Sequence, residues 1–387
     1  MVALLIVHAA DVHLGKRQYG LKEREEDFYK AFEDLVEATI REKADALVIA
    51  GDLFDTPVPD STMKPFKVAV EGVRRLRENG IEVIMVAGDH DIPKVRGYPA
   101  IAYLSELTGA KLLRGELGAK GYELKGFTFY GDDAVTPSKR GPLERLRAVK
   151  PKKNSVLLLH VGLCRALPFS CVDEGLLPKG YKYYALGHVH KPTVLEVHGA
   201  PAAYPGSLEA TTVDEVLWES SDNPLLRRGP LLVDLGGDEA QIVGKLNVYN
   251  RKQIIKKYEL PKDYKRALAE AESVPQGAVV HLYLTGKVGK DAVRAISSKF
   301  QARALTVRVN FLAEEEEEVE ETVTNFTGLE DLIIEFYGKE LGRLLYELVK
   351  AAQERRSDEL KRVAEEIFES GAWRRAQRAS SQRGRRR

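Results

Sequence analysis

An α/β protein is expected from this chain: a two-layered sheet core flanked by helices, followed by a small α+β unit and C-terminal helices. Three patterns carry that expectation. Short apolar runs alternate with longer amphipathic stretches from the start, later apolar runs follow one another without helices between them, and the pattern restarts near Asn250 ahead of an acidic run.

The first runs, LLIVHA, ALVIAG and EVIMVAGD, are separated by amphipathic stretches at Glu25 to Arg41 and Met63 to Glu78. That rhythm is βαβαβ. Strands joined by crossovers are buried on both faces, so they read as continuous apolar runs, and their ligands gather at the carboxyl ends. Each of these runs leads into Asp or His. Further runs at FTFYGDD, SVLLLH, YYALGHVH, PTVLEVHG and PLLVDLG lack helices between several of them, which predicts a mixed or antiparallel second sheet. From Asn250 a smaller unit is expected: QIIKKYEL, a helix over Asp263 to Glu272, AVVHLYL, a helix over Lys290 to Lys299, and ALTVRVNF. The acidic run from Glu314 then reads as a linker kept extended by like charge. Beyond it, Leu332, Ile333, Phe336, Leu341, Leu344, Leu345, Leu348, Leu360, Val363 and Ile367 fall at helical spacing. Such a segment is too small to bury its apolar face alone and must dock on its own chain or a partner. The expected bounds are 1–245, 246–312, 313–326, 327–371 and a basic, disordered tail at 372–387.

Composition excludes several classes. At 387 residues with 44% hydrophobic and 30% charged residues, the chain has a globular balance and length for two or three units. No apolar run reaches the roughly 20 residues of a membrane span, and MVALLIVHAADVHLG reads as a first strand, not a signal. With only Cys164 and Cys171, a reducing cytoplasmic setting is expected and a bridge between them is not. Many charges with few Cys and Met suit a thermophile. The net charge of +1 hides an asymmetry: Glu314 to Glu318 is solidly acidic, whereas residues 372–387 hold seven arginines and no acid.

Five motifs stand at expected strand ends: Asp11-x-His13, Gly51-Asp52-x-x-Asp55, Gly88-Asp89-His90-Asp91, His160 after VLLL, and Gly187-His188-x-His190. Singly, each is as well explained by turn-forming Asp and Gly or by a core histidine. As a set they hold five of the eight histidines, and carboxylates combined with imidazoles suit Mn, Fe or Zn. Residues two apart on an extended segment point the same way, so Asp11 with His13, and His188 with His190, can converge on one cleft.

In this order the motifs resemble those of the calcineurin-like metallophosphoesterases, D-x-H, G-D-x-x-D, G-N-H-[DE], H and G-H-x-H, over roughly residues 1–240. AADVHLG, VIAGDLFDT, ALGHVHKP and AAYPGSLEA are similar to the DNA-repair branch, the bacterial SbcD nucleases and their archaeal and eukaryotic meiotic-recombination counterparts. The resemblance implies two divalent ions, manganese foremost: Asp11, His13, Asp52 and His190 would hold one, and Asp52, Asp89, His160 and His188 the other, with Asp52 bridging. It implies His90 as a catalytic group and Asp91 as its orienting partner. It implies a metal-dependent DNA nuclease, 3′ to 5′ on duplex ends and endonucleolytic on single strands, acting in nucleoid-associated double-strand-break repair with an ABC-type coiled-coil ATPase. A homodimer through the first domain is implied as well. A small-substrate phosphatase or phosphodiesterase, or a DNA-end tethering scaffold with weak cleavage, are the alternatives.

Two departures matter. Asp89 stands where the family usually has Asn, adding a negative charge that should tighten the metal and lessen its Lewis acidity. Asp55 stands where archaeal and eukaryotic members often carry His, and is expected behind the site. Residues 246–312 match the family's DNA-capping domain in position. Arg251, Lys252, Lys256 and Lys257 there, with Lys16 and Arg17 after the first motif, are the expected phosphate contacts.

Overall fold

The computed structural model describes residues 4–58, 62–94, 97–167, 170–217, 223–287, 289–311, 339–353 and 362–363. The chain divides into two compact units, residues 1–313 and 314–387. In the first unit, strands β1 (Leu5–Ala9), β2 (Ala46–Ala50) and β3 (Glu82–Val86) run parallel, linked through helices α1 (Lys22–Arg41) and α2 (Lys64–Glu78). Helix α3 (Ala100–Thr108) leads to β4 (Lys111–Leu112), parallel to β3. After α4 (Gly115–Lys120), the second sheet takes in β5 (Tyr122–Leu124) and β6 (Phe127–Gly131). Helix α5 (Gly141–Arg147) precedes β7 (Ser155–His160), β8 (Tyr183–Gly187), β9 (Thr193–Val197) and β10 (Ala200–Tyr204). Helix α6 (Asp214–Leu217) then precedes β11 (Leu231–Asp234) and β12 (Gln241–Lys245), which return antiparallel to the edge of the first sheet.

Two six-stranded sheets result, ordered β12-β11-β1-β2-β3-β4 and β5-β6-β7-β8-β10-β9. Their facing sides form one core: Ile6, Ala46, Val48, Ile84 and Val86 meet Phe129, Val156, Leu158, Tyr183 and Ala185. The intervening residues point outward, as the period of two requires. Leu47 and Ile49 pack with Phe32, Leu35, Val73, Leu76 and Ile101 of α1, α2 and α3, and Leu157 and Leu159 pack with Leu143 and Leu146 of α5. Burying each such side chain contributes about 1.5–3 kcal/mol. The two-layered core is therefore as expected, and the second sheet is mixed, with β8 parallel and β9 antiparallel to β10.

The smaller unit consists of β13 (Gln253–Leu260), α7 (Tyr264–Glu270), β14 (Val279–Gly286), α8 (Lys290–Gln301) and β15 (Thr306–Phe311). Its three strands are all parallel, because each connection is a helix. It is joined to the first domain by a buried ionic network. Arg24 of α1 donates to Asp27 (2.6 Å), Glu209 (2.8 Å) and Gln18 (2.8 Å), while Arg251 donates to Asp27 through Nε and Nη2 and to Glu209 through its backbone amide.

In the second unit, α9 (Lys339–Gln353) is described. It carries Leu341, Leu344, Leu345 and Leu348 of the expected apolar series. The acidic linker, the arginine-rich tail and the rest of the expected C-terminal helices lie outside the described residues. No helix among the described residues is long and apolar enough to cross a membrane.

The two cysteines depart from expectation. Cys164 and Cys171 form a disulfide, with Cα atoms 4.9 Å apart. The expectation rested on compartment chemistry alone, whereas the loop after β7 folds back on itself: Leu163 and Val172 form a parallel bridge, and Val172 N–H donates to the Gly162 carbonyl, which sets the two side chains together.

Candidate metal centre

All five motifs sit at the carboxyl ends of parallel strands, three from the first sheet (β1, β2, β3) and two from the second (β7, β8). The sheets meet there, so residues far apart in sequence share one pocket. The first two loops are laced together: Asp11 N–H donates to the Gly51 carbonyl, and the amides of Val12 and His13 both donate to the Asp52 carbonyl. The lacing holds Asp11, His13 and Asp52 at positive φ (52°, 52° and 51°), with His188 at 91°. Side chains there cost on the order of 1–3 kcal/mol each, and such strain collects at functional sites. The glycines of the motifs have a steric role. A Cβ on Gly51, itself at φ 90°, would overlap the His160 imidazole, and one on Gly88 would overlap the Asp52 carboxylate.

Among the described residues, four overlapping groups of three result: His13 with Asp52 and His90, Asp11 with Asp52 and His160, and the two clusters that follow. Asp11, His13 and His190 bring ligand atoms within 4.8 Å of one another, as do Asp89, His160 and His188. Asp52 lies between them: its Oδ2 is 3.8 Å from His13 Nε2 and 3.4 Å from His160 Nε2. In the first cluster, His190 Nε2 lies 3.2 Å from His13 Nε2 and 3.7 Å from Asp11 Oδ1. In the second, Asp89 Oδ1 lies 3.0 Å from His160 Nε2 and 3.2 Å from His188 Nδ1.

The electrostatics are those of charges packed out of water. Burial pushes the Asp52 carboxyl up, but the neighbouring His160 and His13 hold it below the usual carboxylate range. Burial likewise lowers His160, yet Asp52 and Asp89 raise it well above an ordinary imidazole. His160 and Asp52 are 1% and 3% exposed, so the buried Asp52 charge must be balanced by a positive charge beside it. A divalent cation fits this donor set. To take part in binding one, the imidazole nitrogens turned inward would offer lone pairs, not protons.

The sequence-predicted ligands Asp11, His13, Asp52, Asp89, His160, His188 and His190 all meet here. His90 stands at the rim, 43% exposed, its ring edge-to-face with His13 at 4.9 Å. Its expected orienting partner is corrected. Asp91 is fully buried and accepts from the backbone amides of Leu53, Phe54 and Gly88, so it braces the two loops and not the imidazole. Its side chain continues away from the rim because the Gly88–Asp91 turn points it inward. Asp55 takes that place: its carbonyl oxygen is 2.9 Å from His90 Nδ1, and its carboxylate is 3.4 Å from His13 Nδ1.

The expected phosphate contacts divide. Lys16 is ion-paired to Asp55 at 2.9 Å, and Arg17 donates to the Gly20 carbonyl. Arg251 is a pin in the buried network, because Asp27 and the Gly277 carbonyl take its guanidinium. Lys256 is paired with Glu270 at 2.6 Å. Lys252 and Lys257 are exposed and make no ion pair among the described residues.

Sequence reasoning missed the residues behind His190. Glu215 Oε1 lies 3.0 Å from His190 Nδ1, and Glu215 Oε2 accepts from Ser207 and from Arg228, which is buried. The signal available was the YPGS stretch: Gly206 passes directly under the His190 carbonyl, where a Cβ would come within 2.7 Å, and Ser207 anchors Glu215.

Comparison with known proteins agrees with this geometry. Residues 4–192 match the calcineurin-like phosphoesterase family. The DNA double-strand break repair protein Mre11 of Saccharolobus solfataricus is 32% identical over 92% of this chain and 96% of that protein. Those of Sulfurisphaera tokodaii and Aeropyrum pernix are 31% and 36% identical, covering 90% and 64% of this chain and 94% and 62% of theirs. A solved structure from Thermus thermophilus superposes with a TM-score of 0.37 at 13% identity, covering 62% of this chain and 98% of that one, too loosely to bear on the argument. A phosphoesterase domain and full-length likeness together place the chain: it is a phosphoester hydrolase that belongs to the Mre11 family of DNA double-strand break repair proteins.

Proposed function

We propose that the chain is a two-metal DNA nuclease that trims duplex ends 3′ to 5′ and cuts single strands internally during double-strand-break repair. The observation that carries this reading is the pair of donor clusters meeting at Asp52. Asp11, His13, Asp52 and His190 would hold one cation and Asp52, Asp89, His160 and His188 the other, manganese being suited to mixed oxygen and nitrogen donors. When bound, such a pair polarises the phosphodiester and supplies hydroxide near neutral pH. The protein's part is to hold those ions and to seat the ester. His90, with Nδ1 against the Asp55 carbonyl and its side chain 43% exposed, would hand a proton to the leaving 3′ oxygen.

The helix-bearing unit at 246–312 serves as the DNA cap, Lys252 and Lys257 offering its exposed cations to phosphates. Dimerisation is supported by an exposed apolar patch of Val58, Met63, Tyr98, Tyr103 and Leu107 beside α2 and α3. The amphipathic helix α9 is the described part of the segment that grips the coiled-coil ATPase. The protein would act in the cytoplasm at the nucleoid.

Turnover of p-nitrophenyl phosphate, bis-p-nitrophenyl phosphate and end-labelled duplex DNA with added Mn2+ tests the reading. Shortening of the DNA and cleavage of the diester are expected. Turnover of the monoester alone would remove the nuclease assignment.

A further inference from the structure

His190 differs from His160 and His13 in what stands behind it. His160 donates Nδ1–H to the Ala50 carbonyl, and the buried Nδ1 of His13 makes no hydrogen bond, the Asp55 carboxylate standing 3.4 Å away. His190 Nδ1 instead meets a carboxylate at hydrogen-bond distance, Glu215 Oε1 at 3.0 Å, with the Thr211 hydroxyl at 3.1 Å.

Glu215 is 2% exposed and cannot swing away. Thr211 and Thr212 donate hydroxyls to its Oε1 at 2.5 and 3.2 Å. Ser207 Oγ, the Thr211 amide and Arg228 Nη1 donate to its Oε2 at 2.8, 3.1 and 3.0 Å, and Arg228 Nη2 returns to the Glu215 carbonyl. A carboxylate fixed from so many sides dictates where the imidazole proton goes. A neutral imidazole so placed keeps its proton on Nδ1, which leaves Nε2, 3.2 Å from His13 Nε2 and 3.7 Å from Asp11 Oδ1, as the nitrogen with the lone pair.

We propose that Glu215, anchored by Arg228, Ser207 and Thr211, is a positioning residue that makes the Asp11/His13/His190 cluster the tighter of two unequal cation sites. The inference rests on the two-cation reading of the pocket. Its physical basis is general: a ligating imidazole whose other nitrogen donates to a carboxylate is locked in tautomer and orientation and is more basic. His160, backed by a neutral carbonyl, lacks that second contribution. The geometry also accounts for the stretch Tyr204 to Glu215, which otherwise has no part in the pocket. Gly206 lets the chain pass under His190, and Ser207 and Thr211 present their hydroxyls to Glu215.

The test is calorimetric titration of Mn2+ into the metal-stripped full-length chain and its variants, with near-UV circular dichroism as the check of folding. For the unaltered chain, two sites of different affinity are expected. Glu215→Ala should weaken the tighter site by about 10- to 100-fold and leave the other where it was. Glu215→Gln, which keeps an oxygen for Nδ1–H, should recover most of that loss. An isotherm of Glu215→Ala that superposes on the unaltered one, equal weakening of both sites, or a Gln variant no better than Ala would each overturn the proposal. Should Glu215→Ala fail to fold with Arg228 left short of its partner, Thr211→Val decides. It keeps the Glu215–Arg228 pair and should weaken the same site to a lesser degree, and an unchanged isotherm would overturn the role. If the unaltered chain takes up no Mn2+, the two-cation reading falls and this inference with it. Two ions bound by a chain indifferent to position 215 would remove the inference alone.

Discussion

His13 Nε2 and His190 Nε2 face each other across 3.2 Å, joining strand ends from two different sheets. At most one proton fits between them, so both rings cannot carry their positive forms on those nitrogens. A cation coordinated by both lone pairs resolves the conflict that protons cannot. The pair is also one of the points, with Asp52 and His160, at which the two layers of the fold become one site.

His90 borders the metal pocket, a ring nitrogen within 4.8 Å of ligand atoms of His13 and Asp52. It is half in solvent, its Nδ1 is held by the Asp55 carbonyl, and its backbone amide donates to Asp52. His90→Ser keeps that amide and removes the imidazole. Cleavage of end-labelled DNA should fall by about 10²- to 10⁴-fold, the usual share of general acid catalysis. The Mn2+ isotherm should not move; if it loses a site, His90 is a ligand.

Asp89 stands 3.0 Å from His160 and 3.2 Å from His188. His160 and His188 hold its carboxyl below the usual range against the pull of burial. Asp89→Asn removes one negative charge beside one cation. Mn2+ should bind more weakly at that site and each bound pair should turn over faster, read as a higher kcat at saturating Mn2+. A lower kcat at saturation would mean that the carboxylate assists the reaction.

Arg24 is fully buried between Asp27 and Glu209. Burial pushes Glu209 up to about 7 even with Arg24 beside it, which shows how costly its charge would be alone. Arg24→Met leaves Glu209 buried without its guanidinium, while Asp27 keeps Arg251, and should lower unfolding stability by about 3–5 kcal/mol, measured by urea denaturation at pH 7. A shift within experimental scatter would mean that water reaches the network.

His8 gives a pH signature away from the metal pocket. It is buried between the sheets with Nδ1 2.9 Å from the Tyr183 hydroxyl, and burial, aided by the Lys245 charge, lowers its pKa to about 3. The unfolded chain has an ordinary histidine near 6.5, so below that pH only the unfolded state gains the proton. Stability is therefore full above roughly pH 6.5 and falls by about 1.4 kcal/mol per unit toward pH 3 from this group. The double variant His8→Phe with Tyr183→Phe should lose that part of the acid slope in urea midpoints between pH 4.5 and 7. An identical slope would show that His8 is protonated in the folded state.

The β-strands and their terminal acids were legible in the sequence because both-face burial leaves uninterrupted apolar runs and because five motifs repeat one chemistry. The seven side chains that converge in the pocket could be named for the same reason. What escaped was whatever depended on a neighbour from another loop. Asp91 was expected to serve His90, its sequence neighbour, yet the turn directs it into the backbone amides of Leu53 and Phe54. Arg251 and Lys256 looked like phosphate ligands because charge reads the same whether or not an Asp27 or Glu270 is waiting in space. Glu215 and Arg228 carried no motif of their own, and the Cys164–Cys171 pairing followed from a loop fold that spacing alone does not encode.

The most direct test of the two-cation pocket is anomalous diffraction from crystals soaked in MnCl2. The proposed two-cation reading predicts two manganese peaks per chain, about 3.5–4 Å apart, with Asp52 touching both. A single peak, or two with Asp52 touching neither, would contradict it.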